Sequence, residues 1–243
     1  MTNVAFTPQE EVQRKVRSRK LITWLLVFAI VMFFAGLTSA YVVSRSSAQY
    51  WVIMHLPKVF FVSTALILAG SVTMHLALLA ARAGNTRRIP SLLVVTLLLG
   101  LGFGYCQWQG WGQLRALGNI FSFSNVLQPT GTYGVDYAIE SRGTILVKEG
   151  DSFYMPDDVA RAKPLNADMA ERTNGASQYF YMLTWAHFAH VAFGLASLLI
   201  MIAMALRGRY TADDHAGLWG GAVYWHFLGG LWVYLLLFLL FVH

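Results

Sequence analysis

Five long apolar runs constrain this chain more than any other feature: 21–44, 59–81, 90–111, 178–206 and 218–242. Each reaches the roughly 20 residues that an α-helix needs to cross a hydrocarbon core of about 30 Å. In lipid, every backbone N–H and C=O must find its partner within the protein, so such a run folds as a helix. Apolar residues make up 56% of the chain and charged residues 12%, where a soluble domain carries about 25% charged. A disordered chain, a secreted disulfide-rich module and an ordinary cytosolic enzyme are excluded. Cys106 is the only cysteine and has no intrachain disulfide partner. The expected fold is an all-α membrane protein with five transmembrane helices. The first run carries Thr38-Ser39-Ala40, loosely like a signal-peptide cleavage site. Its apolar stretch exceeds the roughly 7–15 residues of a signal peptide. With Met1 still ahead of it, this run is expected to be retained as a helix.

Basic residues predict the orientation. Arg14, Lys15, Arg17, Arg19 and Lys20 precede the first span. Arg82, Arg87 and Arg88 join the second to the third, and Arg207 and Arg209 the fourth to the fifth. The short loop on the other side holds Arg45 and Lys58. The positive-inside rule then puts the N-terminus in the cytoplasm and His243 outside. The net charge of +6 reads as this signal and not as a nucleic-acid footprint. The predicted organisation is a cytoplasmic segment 1–20, spans one to three over 21–111, an external insertion 112–177, and the last two spans over 178–243.

The insertion is too long to be a mere connection. Its middle, 134–155, alternates loosely through Val135, Tyr137 and Ile139, then Ile145 and Val147, around Ser141-Arg142-Gly143. That pattern predicts a β-hairpin. Residues 156–172 predict a short helix opened by Asp157-Asp158. The segment is either a small cap on the spans or a docking surface.

All twelve carboxylates lie outside the spans: Glu10 and Glu11 at the start, eight in the insertion, and Asp213 and Asp214 before the last span. A proton or cation carrier normally keeps an intramembrane Asp or Glu, so a pump or antiporter is disfavoured, as is a carboxylate-rich di-iron cage. The ionisable groups within the spans are His75, His187, His190 and His226. Neutral imidazole ligates haem, and His75 and His226 fall at a shared depth, so a membrane cytochrome b is one chemical hypothesis. The plainer reading is that these rings bond neighbouring helices, carbonyls or lipid phosphates. His187 and His190 share a helical face with Gly194 and Ser197, a packed polar seam. Gly100-x-x-x-Gly104 and Gly217-x-x-x-Gly221 predict close helix approach. Tyr50, Trp51, Trp108, Trp111, Trp219, Tyr224 and Trp225 read as interfacial aromatics. No G-x-S-x-G, P-loop, H-E-x-x-H or paired-cysteine motif occurs.

Tyr224-Trp225-His226-Phe227, followed by Trp232, resembles the terminal YWHFxxxxW of subunit III of haem–copper terminal oxidases, the cytochrome c oxidase subunit III family. His215 and Gly217 match that family's H-x-G at the required spacing. Phe180, Thr184, His187, His190, Val191 and Gly194 fit its F…T-x-x-H-x-x-H-V-x-x-G. Leu56, Pro57, Thr64, Ser71, Thr73 and Ala77 resemble its LP…T…S-x-T-x-x-x-A. Val31 to Ala35, Ala40-Tyr41 and Arg45 match more weakly, and the third span contributes the Gly100…Phe103…Gln107 pattern. Five spans correspond to the shorter bacterial form of the family. The chain departs from it where the family has carboxylates: Ile30, Gly110, Trp219 and Gly229 stand in their place. The insertion before the fourth span is also longer than the family's usual connection.

The resemblance implies an accessory core subunit of a respiratory oxidase in a bacterial inner membrane. Such a subunit holds no redox metal, packs on catalytic subunit I, binds phospholipid and supports proton uptake and turnover stability. It implies that His187, His190, His215, Tyr224, Trp225 and His226 serve lipid binding or inter-helix packing, with no catalytic or metal-ligating residue and no cofactor beyond bound lipid. The missing carboxylates leave the proton-uptake role unsupported. Residues 112–177 would reach a neighbouring subunit or an electron-donor complex. The alternatives are the subunit III-like partner of a nitric oxide reductase, and the free-standing cytochrome b using His75 and His226.

Overall fold

The computed structural model describes residues 8–121, 124–212 and 214–242. The expectations for residues 1–7, Asp213 and His243 lie outside the described residues, as do those for the side chains of Glu11 and Lys15. Among the described residues six α-helices occur: α1 (Pro8–Ser47), α2 (Val59–Arg82), α3 (Ile89–Ala116), α4 (Asn166–Ala170), α5 (Gly175–Leu206) and α6 (Ala216–Phe241). All but α4 are long and apolar enough to cross a membrane, so the five expected spans are present and the chain is a multi-pass membrane protein. Their surfaces fit that solvent. Phe193, Leu98 and Val43 are each more than half exposed, an arrangement that water penalises and hydrocarbon does not.

α1 begins well before the expected position 21. Residues 9–20 contain neither Gly nor Pro and are rich in Gln, Glu, Arg and Lys. These are good helix formers, so the helix continues past the end of the apolar run.

The chain divides into two compact packing units. The first comprises 1–34, 64–103 and 188–232. Its core gathers Met74, Leu78, Leu93, Leu198, Leu218 and Trp225. Glycines admit the large ring of Trp225: a Cβ on Gly100 would stand 2.8 Å from it, and one on Gly70 3.2 Å from its indole nitrogen. Side-chain hydrogen bonds cross between helices, among them Thr73 with Thr96 at 2.8 Å and Trp232 Nε1 donating to Thr64 Oγ1 at 2.9 Å. Such bonds contribute about 0.6 kcal/mol each on average in a membrane.

The second unit comprises 35–63, 104–187 and 233–243. Here β1 (Tyr50–Met54), β2 (Tyr137–Ser141) and β3 (Thr144–Ile145) form an antiparallel sheet in the order β1-β2-β3, with Val52 opposite Ile139. A second hairpin pairs β4 (Val147–Glu149) with β5 (Ser152–Tyr154). The hairpin expected around Ser141-Arg142-Gly143 is thus found, turning through Arg142 and Gly143 at φ +49° and +86°.

Two expectations are corrected. Tyr50 and Trp51 are not interfacial aromatics but buried strand residues, exposed by 6% and 3%. The central strand of the insertion, β2, pairs with β1, which lies between the first two spans. The short helix opens at Asn166 and not at Asp157-Asp158. The Asp158 carboxylate instead accepts the N–H groups of Ala162 and Lys163, at 3.2 and 2.9 Å, which closes a loop. Those two bonds hold its pKa below the usual carboxylate range.

Polar contacts tie this second unit together. Arg45 pairs with Glu140 at 2.9 Å and also donates to the Val242 carbonyl. Gln49 Nε2 and Tyr50 Oη donate to Asp168 Oδ2 at 2.6 and 2.7 Å. Within the apolar stretches, Gln107 donates to Ser63 at 3.0 Å and Trp111 to Thr184 at 3.2 Å.

Candidate functional site

An open groove of about 770 Å³ runs within the first unit between α1, α5 and α6. Ile22, Leu26 and Ile30 of α1 form one wall. Phe193, Ile200 and Met204 of α5 form the other. Arg19 stands at one end, with roughly 16 Å of helical rise between it and Ile30 at 1.5 Å per residue. The groove is therefore an apolar channel with a cation at one mouth.

The floor is open because of α6. Gly217, Gly220 and Gly221 line it at helical spacing i, i+3 and i+4. A Cβ on Gly220 would stand 3.1 Å from Thr23 Oγ1, and one on Gly221 would collide with the Met201 thioether. Larger side chains would fill the channel. The Gly217-x-x-x-Gly221 pattern predicts close helix packing, and the small-xxx-small spacing does not include Gly220. Three glycines on one face were the signal available for the groove.

His190 and Tyr224 both line the groove. The Tyr224 hydroxyl donates to the His190 carbonyl at 2.9 Å, joining α6 to α5. The half-buried His190 ring lies against Phe34 and Phe33, with centroids at 5.6 and 6.2 Å. Ser197 also lines it, and its hydroxyl donates within its own helix to the Gly194 carbonyl at 2.9 Å.

The other predicted site residues lie elsewhere. Trp225 is a core residue in its glycine hollow. His226 stands beside His75, with ring centroids 5.7 Å apart and planes tilted by 54°. His215 lies just before α6, where its Nδ1 donates to the Ala212 carbonyl at 2.9 Å. His187 is fully buried in the second unit. The structure thus brings two of the six into one groove. Among the described residues, no group of three or more His, Cys, Asp or Glu side chains is arranged to hold a metal ion.

The positions where carboxylates are replaced have concrete surroundings. Ile30 is buried and lines the groove. At Gly110 a Cβ would meet the Phe60 ring at 2.5 Å, so any side chain there requires the ring to shift. At Gly229 a Cβ would stand 3.1 Å from Ser71 Oγ. Trp219 lies under the Lys20 ammonium, 5.3 Å from its ring centroid, an attraction of the cation–π kind.

No family model matches the chain. Individual proteins do. The cytochrome c oxidase subunit 3 of Alkalihalophilus pseudofirmus is 24% identical over 176 residues, 72% of this chain. The protein of the same name from Rattus norvegicus is 22% identical over 178 residues, 73% of this chain. The Thermostichus vulcanus protein of that name is 38% identical over 65 residues, 26% of this chain. The chain is similar to cytochrome c oxidase subunit 3. The aligned region spans 61% of the Alkalihalophilus protein, 48% of the rat one and 32% of the Thermostichus one. The subunit 3 resemblance read from the YWHF and H-x-G motifs agrees with these similarities.

Proposed function

We propose that this chain is a non-catalytic core subunit of a respiratory haem–copper oxidase, seated in a bacterial inner membrane and packed on catalytic subunit I. The observation that carries this reading is the similarity to cytochrome c oxidase subunit 3 across 72% of the chain. The N-terminus faces the cytoplasm under the positive-inside rule, and residues 112–177 face outward, toward a neighbouring subunit or electron donor.

The groove supplies the second part of the reading, which is phospholipid binding that stabilises the complex. An acyl chain lies along Ile22, Leu26, Ile30 and Phe193, and the glycine face of α6 lets it approach the helix backbone. Arg19 meets the headgroup phosphate with charge-assisted hydrogen bonds. Its Asp214 neighbour, at 4.0 Å and largely exposed, competes only weakly. Support for proton uptake is not part of the proposal, because no carboxylate lies within a span.

Extraction in a mild detergent through a tag on this chain tests the assignment. Recovery with a haem–copper subunit I, and with haem in proportion to that subunit, is the expected result. Recovery of this chain alone with its own Soret band, abolished by His75→Ala and His226→Ala, would instead make it a cytochrome b.

A further inference from the structure

The second unit contains a cleft of about 830 Å³ that shares no residue with the groove. It lies at the C-terminal ends of α1 and α6, beside the turn between β2 and β3. Three arginines line it, Arg45, Arg142 and Arg172, against one carboxylate, Glu140.

These charges are not equivalent. Arg45 is committed: it pairs with Glu140 and donates to the Val242 carbonyl, so that pair is neutral and fixed. Helix C-termini favour a cation, which gives Arg45 a structural role at the end of α1. Arg172 pairs with Asp168 Oδ1 at 3.4 Å, with both side chains largely exposed. Arg142 has no carboxylate or hydrogen-bond partner among the described residues and is exposed. Its backbone is also left-handed at φ +49°, a conformation that costs a non-glycine residue about 1 kcal/mol or more. Asn or Gly would occupy this turn position more readily than arginine. One unpaired guanidinium, Arg142, and one held only in an exposed ion pair, Arg172, therefore line one cleft, and an exposed pair of that kind is weak enough for an anion to compete for.

The walls define the surroundings. Val42, near the end of α1, and Val242, just past α6, line the same cleft. The cations accordingly stand where the apolar spans give way to the polar cap, the zone of lipid headgroups. A guanidinium presents paired N–H donors that match two oxygens of a phosphate, and two such groups line this cleft.

We propose that this cleft binds a phosphate group through Arg142 and Arg172, carried either by an anionic lipid headgroup or by free phosphate. Arg45 holds the wall in place. Glu140 is silenced by its pairing with Arg45, so it does not repel the anion.

The test uses the full chain with its co-purifying partners. One variant carries Arg142→Gln and Arg172→Gln. The control carries Arg87→Gln and Arg88→Gln, which removes the same charge outside the cleft. Native mass spectrometry after delipidation reads retained phosphatidylglycerol, with phosphatidylcholine as the reference, and thermal unfolding reads stabilisation by inorganic phosphate. A loss of about tenfold in phosphatidylglycerol retention, confined to the cleft variant, is expected if a lipid supplies the phosphate. An unchanged lipid count with loss of the inorganic-phosphate stabilisation assigns free phosphate instead. If neither readout changes, or if the control loses as much, the site is overturned. Should the double variant fail to fold, Arg142→Gln alone, at an exposed side chain without a partner, carries the same expectation at smaller size.

Discussion

Asp168 shows how a single side chain is tuned by what it touches. Its carboxylate accepts the Tyr50 hydroxyl first, and then Arg172 and Gln49, and these bonds hold its pKa below the ordinary value. Burial, helped by the same carboxylate, pushes the Tyr50 phenol up, so the phenol remains a donor at neutral pH. A carboxylate whose pKa is depressed by folding stabilises the fold above its unfolded pKa of about 3.9 and loses that contribution as pH falls through the folded value. Asp168→Asn is therefore expected to lower the thermal unfolding temperature at pH 7. It should also flatten the decline that the parent protein shows below about pH 4. A parallel acid limb in both proteins, followed by tryptophan fluorescence, would refute the assignment. Legibility at this scale was uneven. His190 and Tyr224 were named from motifs and do share a groove. Their neighbours in the motifs, Trp225 and His226, face other surroundings, because successive residues on a helix point about 100° apart. A linear motif groups residues that the helix then separates.

Among the elements, α6 has two assignments on one helix, core packing through Trp225 and groove lining through its glycines. Gly220→Leu tests the second alone. The new side chain meets Thr23 at the groove floor, so bound phospholipid is expected to fall by about half or more while the helix, gaining a better helix former, keeps its content. Quantified lipid phosphorus per chain, alongside far-ultraviolet circular dichroism, checks both halves. The spans were legible because apolar length is a local property. The hairpin turn was legible because Gly143 marks it. Strand β1 was not, since a five-residue apolar segment next to Pro57 also reads as the end of a span. Its partner β2 comes after two intervening helices, and such non-local pairing leaves no mark in a short window of sequence. The N-terminal extension of α1 was missed for a different reason: hydropathy reports solvent, and this polar stretch is helical without being apolar.

For the whole molecule, topology is the property that accessibility can measure. Lys148 lies on β4 of the insertion, and Cys106 is the only native cysteine. In a Cys106→Ser background, a Lys148→Cys variant in sealed right-side-out vesicles is expected to react with a membrane-impermeant maleimide. A Lys20→Cys variant should react only after the vesicles are opened. The reverse pattern would invert the proposed orientation and place the insertion in the cytoplasm.

The pairing of β1 with β2 also has a consequence for synthesis. When β1 has been delivered to its side of the membrane, the ribosome must still make both α2 and α3 before its partner strand emerges. Until then, an apolar edge with unsatisfied backbone groups waits at the bilayer surface, where any neighbouring chain is a rival partner. A nascent chain stalled after the third span is the form in which this protein would be most readily captured by a chaperone or cleared by a membrane protease.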